Sequence, residues 1–276
     1  MNADPNMCVI IPVHQPLPSA AEMISLKAAR RHLSGYDCYL VHPIDMDIAA
    51  YLAIYPGLKL KAVNPQWLAS VEQYNKMKLD LRFYQLFAQY QYMLTYELDA
   101  YIFNANFSGT NVFQFDFIGA PFFEGYWAAT FGAPFIKGCN SGFSIRNIPA
   151  CINVLSSMGR FKTGWLLYRV FLSWSSNLRR LINNATGGRY EIYINGKFGF
   201  PFAGFHLNED HVWSEVVPQL FPWFKIADPV SALTFSFEYN LTESLKLNGG
   251  KLPLGCHAWY KHLDFWKEYI DTGGLQ

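Results

Sequence analysis

Two carboxylates at the end of an apolar run are the residues best placed to do chemistry. The run Tyr92–Tyr96 is rich in β-forming residues and predicts a buried strand that continues to Ala100. Because side chains alternate along a strand, we expect Glu97 and Asp99 to leave it on the same side. Two carboxylates on one face are costly unless a cation meets them. The pattern predicts either a metal–phosphate site or a solvated strand end with an ordinary ion pair.

Two other polar segments could contribute to a site. The triplet Asn208, Glu209 and Asp210 could open a helix, whose N-terminus favours ionised carboxylates. The plainer alternative is a helix start capped by Asn208, and the two interpretations are compatible. The loop 138–142 offers backbone N–H groups with little side-chain bulk, which suits a sugar or phosphate. Taken alone, that loop is equally typical of an ordinary turn entering a strand.

A lysine and a late histidine are weaker candidates. Tyr74, Asn75 and Lys76 could reach a nucleobase or a diphosphate, with Lys76 acting as a point charge. The same triplet is equally typical of a solvated helix start. His257 could bind a metal, although a lone histidine between apolar neighbours is more often a buried, hydrogen-bonded core residue.

The elements that must position these residues alternate between strands and helices. The patterns predict strands at 7–13, 39–41, 58–63, 92–100, 115–121, 143–145 and 232–237, and helices at 19–33, 71–90 and 148–183 and from 209. This rhythm indicates an α/β fold with a mainly parallel sheet flanked by helices. Ligands of such sheets bind beyond the carboxyl ends of the strands, where Glu97 and Asp99 fall. We expect a single domain over 1–276, with a helical and loop insertion around 150–204.

Composition excludes some classes of partner. A net charge of +1 over 276 residues gives no electrostatic footprint for nucleic acid. Five scattered cysteines without a C-x-x-C pair favour a reducing, cytoplasmic setting. No apolar stretch approaches the ~20 residues of a membrane span, and the first 11 residues do not resemble a signal peptide. The basic and aromatic segment 160–181 could lie on an anionic membrane surface, although a core or subunit-contact helix is the plainer account.

Eight short segments between residues 7 and 260 occur in an order typical of one known family. They are Val9-Ile10-Ile11-Pro12-Val13, Tyr74-Asn75-Lys76, Tyr96-Glu97-Leu98-Asp99-Ala100-Tyr101-Ile102-Phe103, Asp116-Phe117-Ile118-Gly119-Ala120-Pro121, Asn140-Ser141-Gly142-Phe143-Ser144-Ile145-Arg146, Asn208-Glu209-Asp210, Phe235-Ser236-Phe237-Glu238 and Leu252-Pro253-Leu254-Gly255-Cys256-His257-Ala258-Trp259. In these segments the chain resembles a family of small glycosyltransferase-like proteins of the GT-A fold, long known only as a domain of unknown function.

The resemblance implies a GT-A-like (Rossmann-like) fold that binds a nucleotide-sugar donor, with a UDP-sugar favoured. It also implies a divalent cation, Mn²⁺ or Mg²⁺, held by Asp99 and His257. The residues it implies for binding the donor and its metal are Val13, His14, Tyr74, Asn75, Lys76, Glu97, Asn140, Ser141 and Gly142.

For catalysis, the resemblance implies Asp210 as the base, with inversion at the anomeric carbon, and Glu209 as a residue that orients the acceptor or a neighbouring group. The acceptor would be a glycan or a lipid-linked glycan, as in polysaccharide biosynthesis. The donor loop departs from the family's Gly-Asn-Gly-Gly, because Cys139 and Ser141 narrow it. A sugar- or nucleotide-binding protein without catalysis therefore stays open, as does a scaffold or membrane-interaction protein built on 160–181.

Overall fold

A mixed six-stranded sheet forms the centre of the computed structural model, which describes residues 6–157 and 208–275. The strands of the described chain are β1 Met7–Pro12, β2 Asp37–Pro43, β3 Lys59–Val63, β4 Tyr92–Tyr96, β5 Tyr101–Ile102, β6 Phe117–Ile118, β7 Pro121–Phe123, β8 Phe135–Cys139, β9 Phe143–Asn147, β10 Ser236–Phe237 and β11 Gly255–Cys256. The central order is β3-β2-β1-β4-β9-β6. The first four of these strands are mutually parallel, whereas β9 is antiparallel to both β4 and β6. The predicted α/β fold with a mainly parallel sheet is confirmed.

Helices cover both faces of this sheet. They are α1 Ala20–Leu33, α2 Ala49–Ile54, α3 Val71–Met77, α4 Leu81–Gln85, α5 at 148–157, α6 Glu209–His211 with its continuation through Val212–Val216 and Val217–Leu220, α7 Pro229–Phe235, α8 Leu241–Leu247 and α9 Leu263–Trp266. Alternate residues of β1 enter different cores: Val9 and Ile11 pack in one apolar cluster, Cys8 and Ile10 in the other. Burial on both faces explains why β1 is a continuous apolar run. None of the helices in 6–157 and 208–275 is long and apolar enough to cross a membrane.

Helix α1 begins where its sequence predicts. The Ser19 hydroxyl accepts from the Glu22 backbone N–H, and the Glu22 carboxylate accepts from the Ser19 N–H at 2.7 Å, which completes a capping box. Leu26, Ala29 and Leu33 then face the core at helical spacing.

The predicted helix over 71–90 is wrong in one important respect, because it breaks after Met77. The Lys78 carbonyl accepts hydrogen bonds from the Tyr84 hydroxyl (2.9 Å) and the Trp213 indole (3.1 Å), and Asp80 caps a new helix, α4. The break turns the Lys78 side chain into the protein, where it is 2% exposed.

Three predicted strands also differ from the structure. The strand predicted at 115–121 is a strand only at β6, Phe117–Ile118, and at Pro121, where β7 begins. Strand β4 ends at Tyr96, and residues 97–100 form a turn closed by the Ala100 N–H on the Glu97 carbonyl at 2.8 Å. The predicted strand at 232–237 is helical over most of its length. Asp228 caps α7 and Pro229 occupies its first turn, so only Ser236–Phe237 is extended.

The remaining expectations concern the loop and the insertion. Gly138 and Cys139 close β8, so the connection to β9 is residues 140–142 alone. The insertion around 150–204 is described only as far as the helix at 148–157. The rest of the predicted helix to 183, the loop or hairpin at 183–204 and the basic segment 160–181 lie outside the described residues. The single-domain organisation stays a prediction.

Candidate functional site

Glu97, Asp99 and His257 come together at one edge of the central sheet. Glu97 follows β4 and donates its backbone N–H to the Gly142 carbonyl at 3.0 Å, which ties the acidic turn to the 140–142 loop. His257 follows β11, and its backbone N–H donates to the Phe237 carbonyl at 2.9 Å. Both acidic side chains approach the same imidazole because they lie in a tight turn, and not because side chains alternate along a strand.

The three side chains have the spacing of a metal site. His257 Nε2 lies 3.0 Å from Asp99 Oδ1 and 3.6 Å from Glu97 Oε2, and the three candidate ligand atoms lie within 4.8 Å of one another. Asp99 Oδ1 and both ring nitrogens are buried and have no aligned hydrogen-bond partner among the described residues. Two carboxylates and an imidazole suit Mn²⁺ or Mg²⁺, which prefer oxygen ligands, with Mn²⁺ also tolerating imidazole.

The His257 ring is enclosed on its other sides. Its Nδ1 lies 3.1 Å from Glu238 Oε1. A Cβ atom added at Gly142 would lie 2.0 Å from Nε2, so only glycine leaves room for the ring there. Burial alone would lower the pKa of His257, but Asp99 and Glu238 outweigh it and hold the pKa well above its usual range.

Lys78 connects this cluster to a second buried carboxylate. Its Nζ lies 2.9 Å from Glu97 Oε1 and 2.7 Å from Glu209 Oε1, and it donates to Ser141 Oγ at 3.0 Å. Arg146 closes the far end with two hydrogen bonds to Glu209, at 2.8 and 3.0 Å. Burial would raise the pKa values of Glu97 and Glu209, but Lys78 and His257 outweigh it at Glu97, and Arg146 and Lys78 outweigh it at Glu209, so both pKa values are lowered.

The charges of this network do not balance. Glu97, Asp99, Glu209 and Glu238 supply four carboxylates, and the fixed cations paired with them are Lys78 and Arg146. With the protonated imidazole that the raised pKa of His257 indicates, one negative charge remains in excess, and with the neutral imidazole that metal binding requires, two remain. A divalent cation beside His257 would neutralise them, so the charge count agrees with the metal-type geometry.

Asp210 lies beside Glu209 but in a different electrostatic environment. It is 7% exposed, and its Oδ1 accepts the His211 backbone N–H at 2.8 Å. No salt bridge to Asp210 occurs in the described part of the chain. Burial, and secondly the charge of Glu209, raise the pKa of Asp210 from 3.8 to about 6. A carboxyl group with this pKa can exchange a proton near neutral pH.

A cavity of about 760 Å³ opens against the acidic turn. Its described lining comes from the end of β1, the start of α1, the approach to α3 and the acidic turn: Pro12, Val13, His14, Gln15, Ser19, Ala21, Glu22, Leu68, Ala69, Ser70, Val71, Tyr74, Glu97, Leu98, Asp99 and Tyr260. The described lining includes three carboxylates and no lysine or arginine. The volume would accommodate a ligand of nucleotide size.

Some residues predicted to bind the donor line this cavity, and others do not. Val13, His14 and Tyr74 line it, and the Tyr74 hydroxyl donates to Glu97 Oε1 at 2.9 Å. Lys76 instead pairs with Glu72 on the surface of α3. Asn75 Oδ1 accepts the Glu209 backbone N–H at 3.3 Å.

The predicted donor loop is held by its own hydrogen bonds. The Asn140 side chain accepts the Gly142 N–H at 2.7 Å. Ser141 is buried, accepting from Lys78 through its hydroxyl and from the Ser144 hydroxyl through its carbonyl. The loop therefore supports the acidic turn and the Lys78 ammonium.

Sequence reasoning missed Lys78, Arg146 and Glu238. The signal for Lys78 was a cation between Met77 and Leu79 in an otherwise apolar stretch. Arg146 had a clearer signal, because it is the one charged residue of β9, Phe143–Asn147. Glu238 gave none beyond its place in a matching segment.

Three solved structures are similar to this chain over most of its length. A glycosyltransferase involved in the glycosylation of the major capsid of PBCV-1 has 11% identity and a TM-score of 0.45 over 94% of this chain and 100% of the other. Mouse xyloside xylosyltransferase 1 in its apo form has 11% identity and a TM-score of 0.47, over 92% and 97%. The galactosyltransferase LgtC, in complex with donor and acceptor sugar analogs, has 11% identity and a TM-score of 0.48, over 91% and 86%.

Sequence comparison gives the family but no characterised relative. No curated protein matches the sequence. A family model does match, over residues 57–257, and it is described as "protein of unknown function (DUF5672)". These residues make up well over half of the chain. They include the second to the seventh of the eight segments and the last segment up to His257. The chain therefore belongs to the DUF5672 family, a family of unknown function, as its resemblance predicted.

Proposed function

We propose that this protein is a metal-dependent glycosyltransferase that moves a sugar from a nucleotide-diphosphate-sugar donor to a glycan or lipid-linked glycan acceptor. The observation that carries the proposal is the convergence of Glu97, Asp99 and His257 beside a cavity of about 760 Å³ at the carboxyl ends of β1 and β4. This is the edge at which ligands of open α/β sheets bind.

Glu97, Asp99 and His257 would hold Mn²⁺ or Mg²⁺, which supplies charge stabilisation to the departing diphosphate. The surrounding residues prepare the site. Lys78 and Tyr74 both engage Glu97 Oε1, so Oε2 is the oxygen left facing His257. The acidic lining of the cavity, with no described lysine or arginine, supports a donor that enters with a cation, because a diphosphate alone would be repelled.

Asp210 is the proposed base. An acceptor hydroxyl becomes a good nucleophile only when a positioned group removes its proton, and a pKa of about 6 suits that exchange. Glu209 is fully buried between Arg146 and Lys78, and it fixes the start of α6, on which Asp210 lies. Transfer would proceed with inversion, and a UDP-sugar is the proposed donor.

The test is a panel of nucleotide sugars assayed for hydrolysis and transfer with Mn²⁺, with Mg²⁺ and with EDTA. We expect turnover only with a divalent cation, and loss of turnover in Asp99→Asn. Asp264→Asn is the matched control, because Asp264 is exposed and its salt bridge within the described residues is to Lys267 on the surface. Full turnover by Asp99→Asn, or undiminished turnover in EDTA, would refute the proposal.

The non-catalytic alternative has one observation in its favour, since Asp210 is not among the described residues that line the cavity. It predicts that a nucleotide sugar with Mn²⁺ raises the melting temperature while the donor stays intact. If the wild type cleaves the donor and Asp210→Asn does not, the protein is an enzyme and the non-catalytic alternative is wrong.

A further inference from the structure

We propose that Glu238 is a positioning residue that fixes the His257 ring so that Nε2 faces Glu97 and Asp99 and is free to bind the divalent cation. The inference rests on the proposed metal site. It adds a role for a buried carboxylate that does not itself belong to the three-ligand cluster.

A second sheet of three strands, with the order β10-β11-β5, brings Glu238 and His257 together. Strands β10 and β11 run parallel, and Phe237 pairs with Cys256. Glu238 and His257 each come one residue after these partners, so both side chains emerge at the same end of neighbouring strands. The hydrogen bond from the His257 N–H to the Phe237 carbonyl fixes this register.

Contacts on two sides restrict the imidazole. Glu238 Oε1 lies 3.1 Å from Nδ1, whereas Asp99 Oδ1 lies 3.0 Å from Nε2, so each ring nitrogen faces a different carboxylate. The backbone of Gly142 lies against the ring, where even a methyl group would collide with Nε2.

The position of the imidazole proton determines which ring nitrogen can bind a metal. Metal binding requires the neutral ring, which carries one proton. Asp99 would then hold the cation beside Nε2, so Glu238 is the carboxylate left to keep that proton on Nδ1. Glu238 faces Nδ1 and is 3% exposed, so water competes little for that contact. With the proton on Nδ1, Nε2 points its lone pair at the two carboxylates. Carboxylates that orient metal-bound histidines in this way typically contribute about 10- to 100-fold in metal affinity.

The test measures binding of Mn²⁺ alone to the full chain, by electron paramagnetic resonance of the free ion. We expect Glu238→Ala to weaken binding about 100-fold and Glu238→Gln about 10-fold, because glutamine keeps an oxygen acceptor but loses the charge. Glu243→Gln is the matched control, since Glu243 is equally buried on α8 but is not part of the charged cluster. Its affinity should equal that of the wild type.

Melting temperatures of the Glu238 variants, measured without metal, separate positioning from a merely structural role. A variant that melts like the wild type but binds Mn²⁺ more weakly has lost positioning and not the fold. If the alanine variant does not fold, the glutamine variant decides alone. Wild-type affinity in Glu238→Gln would overturn the inference while leaving the metal site in place. A wild-type protein that binds no Mn²⁺ would overturn both this inference and the metal-dependent function. Turnover of the nucleotide sugars is measured in a separate experiment.

Discussion

Replacing Asp210 with asparagine should make the protein more stable at neutral pH while abolishing the proposed sugar transfer. Asp210 is almost fully buried beside Glu209, and these surroundings raise its pKa from 3.8 to about 6. The native state therefore holds a proton that the unfolded chain has already released between about pH 4 and 6. Stability contributed by this group is fully present below pH 3.8 and is lost as the pH rises through about 6.

The magnitude follows from the size of the shift. A shift of about two pKa units corresponds to about 3 kcal/mol, which the ionised carboxylate costs the native state above about pH 7. Asparagine does not ionise, and its amide oxygen can still accept the His211 N–H. Asp210→Asn should thus exceed the wild type in unfolding free energy by up to about 3 kcal/mol at pH 7.5, and by little at pH 3.5.

The assay is urea unfolding followed by tryptophan fluorescence at several pH values between 3.5 and 8. Asp228→Asn provides a control of opposite sign. Hydrogen bonds from the Ser231 hydroxyl and backbone N–H lower the pKa of Asp228, so its stabilisation is present at neutral pH and fades as the pH falls. If Asp210→Asn were less stable than the wild type at pH 7.5, or if the difference did not depend on pH, the electrostatic account of this residue would be wrong.

Three further predictions concern neighbouring residues. Lys78→Met should destabilise the fold by about 3–5 kcal/mol in urea titrations, because two carboxylates lose a buried cation; a loss below about 1 kcal/mol would contradict it. Gly142→Ala should displace the His257 ring and lower the Mn²⁺ affinity at least ~10-fold, whereas Gly35→Ala, with nothing near its added methyl, should not. Ser19→Ala should cost about 1 kcal/mol in unfolding free energy and leave Mn²⁺ binding unchanged; an equal loss of affinity would show that α1 shapes the site.

The centre of the main sheet was predictable because β1 and β4 are buried on both faces. β1 is an apolar run and β4 is interrupted only by Thr95, a pattern typical of a doubly covered sheet. Helix α1 was equally accessible, because the capping box at Ser19 is a local signal. The failure at 232–237 was local too: Asp228 and Pro229 lie outside the apolar stretch, and they decide that it starts as a helix.

The site was harder to predict because its decisive contacts join distant segments. Asp99 and His257 were paired through the family resemblance, and no local pattern in the chain requires them to meet. Lys78 is a buried ion at a helix break, where the Tyr84 hydroxyl and the indole of Trp213, far along the chain, both donate to its carbonyl. Periodicity cannot reveal such a break, since it depends on a tertiary hydrogen bond.

The buried cations explain why neighbouring carboxylates can have different roles. Lys78 contacts both Glu97 and Glu209, and Arg146 is a second cation beside Glu209. Both acids therefore stay ionised and fixed in position. Asp210 is the next residue after Glu209, yet no described cation pairs with its side chain. Burial, and secondly repulsion by the charge of Glu209, raises the pKa of Asp210. Divergent pKa values among adjacent carboxyl groups are typical of sites that divide charge stabilisation from proton transfer. In the proposed function, the two cations therefore leave an anionic cluster that would hold a metal and one protonatable carboxyl group that would act as the base.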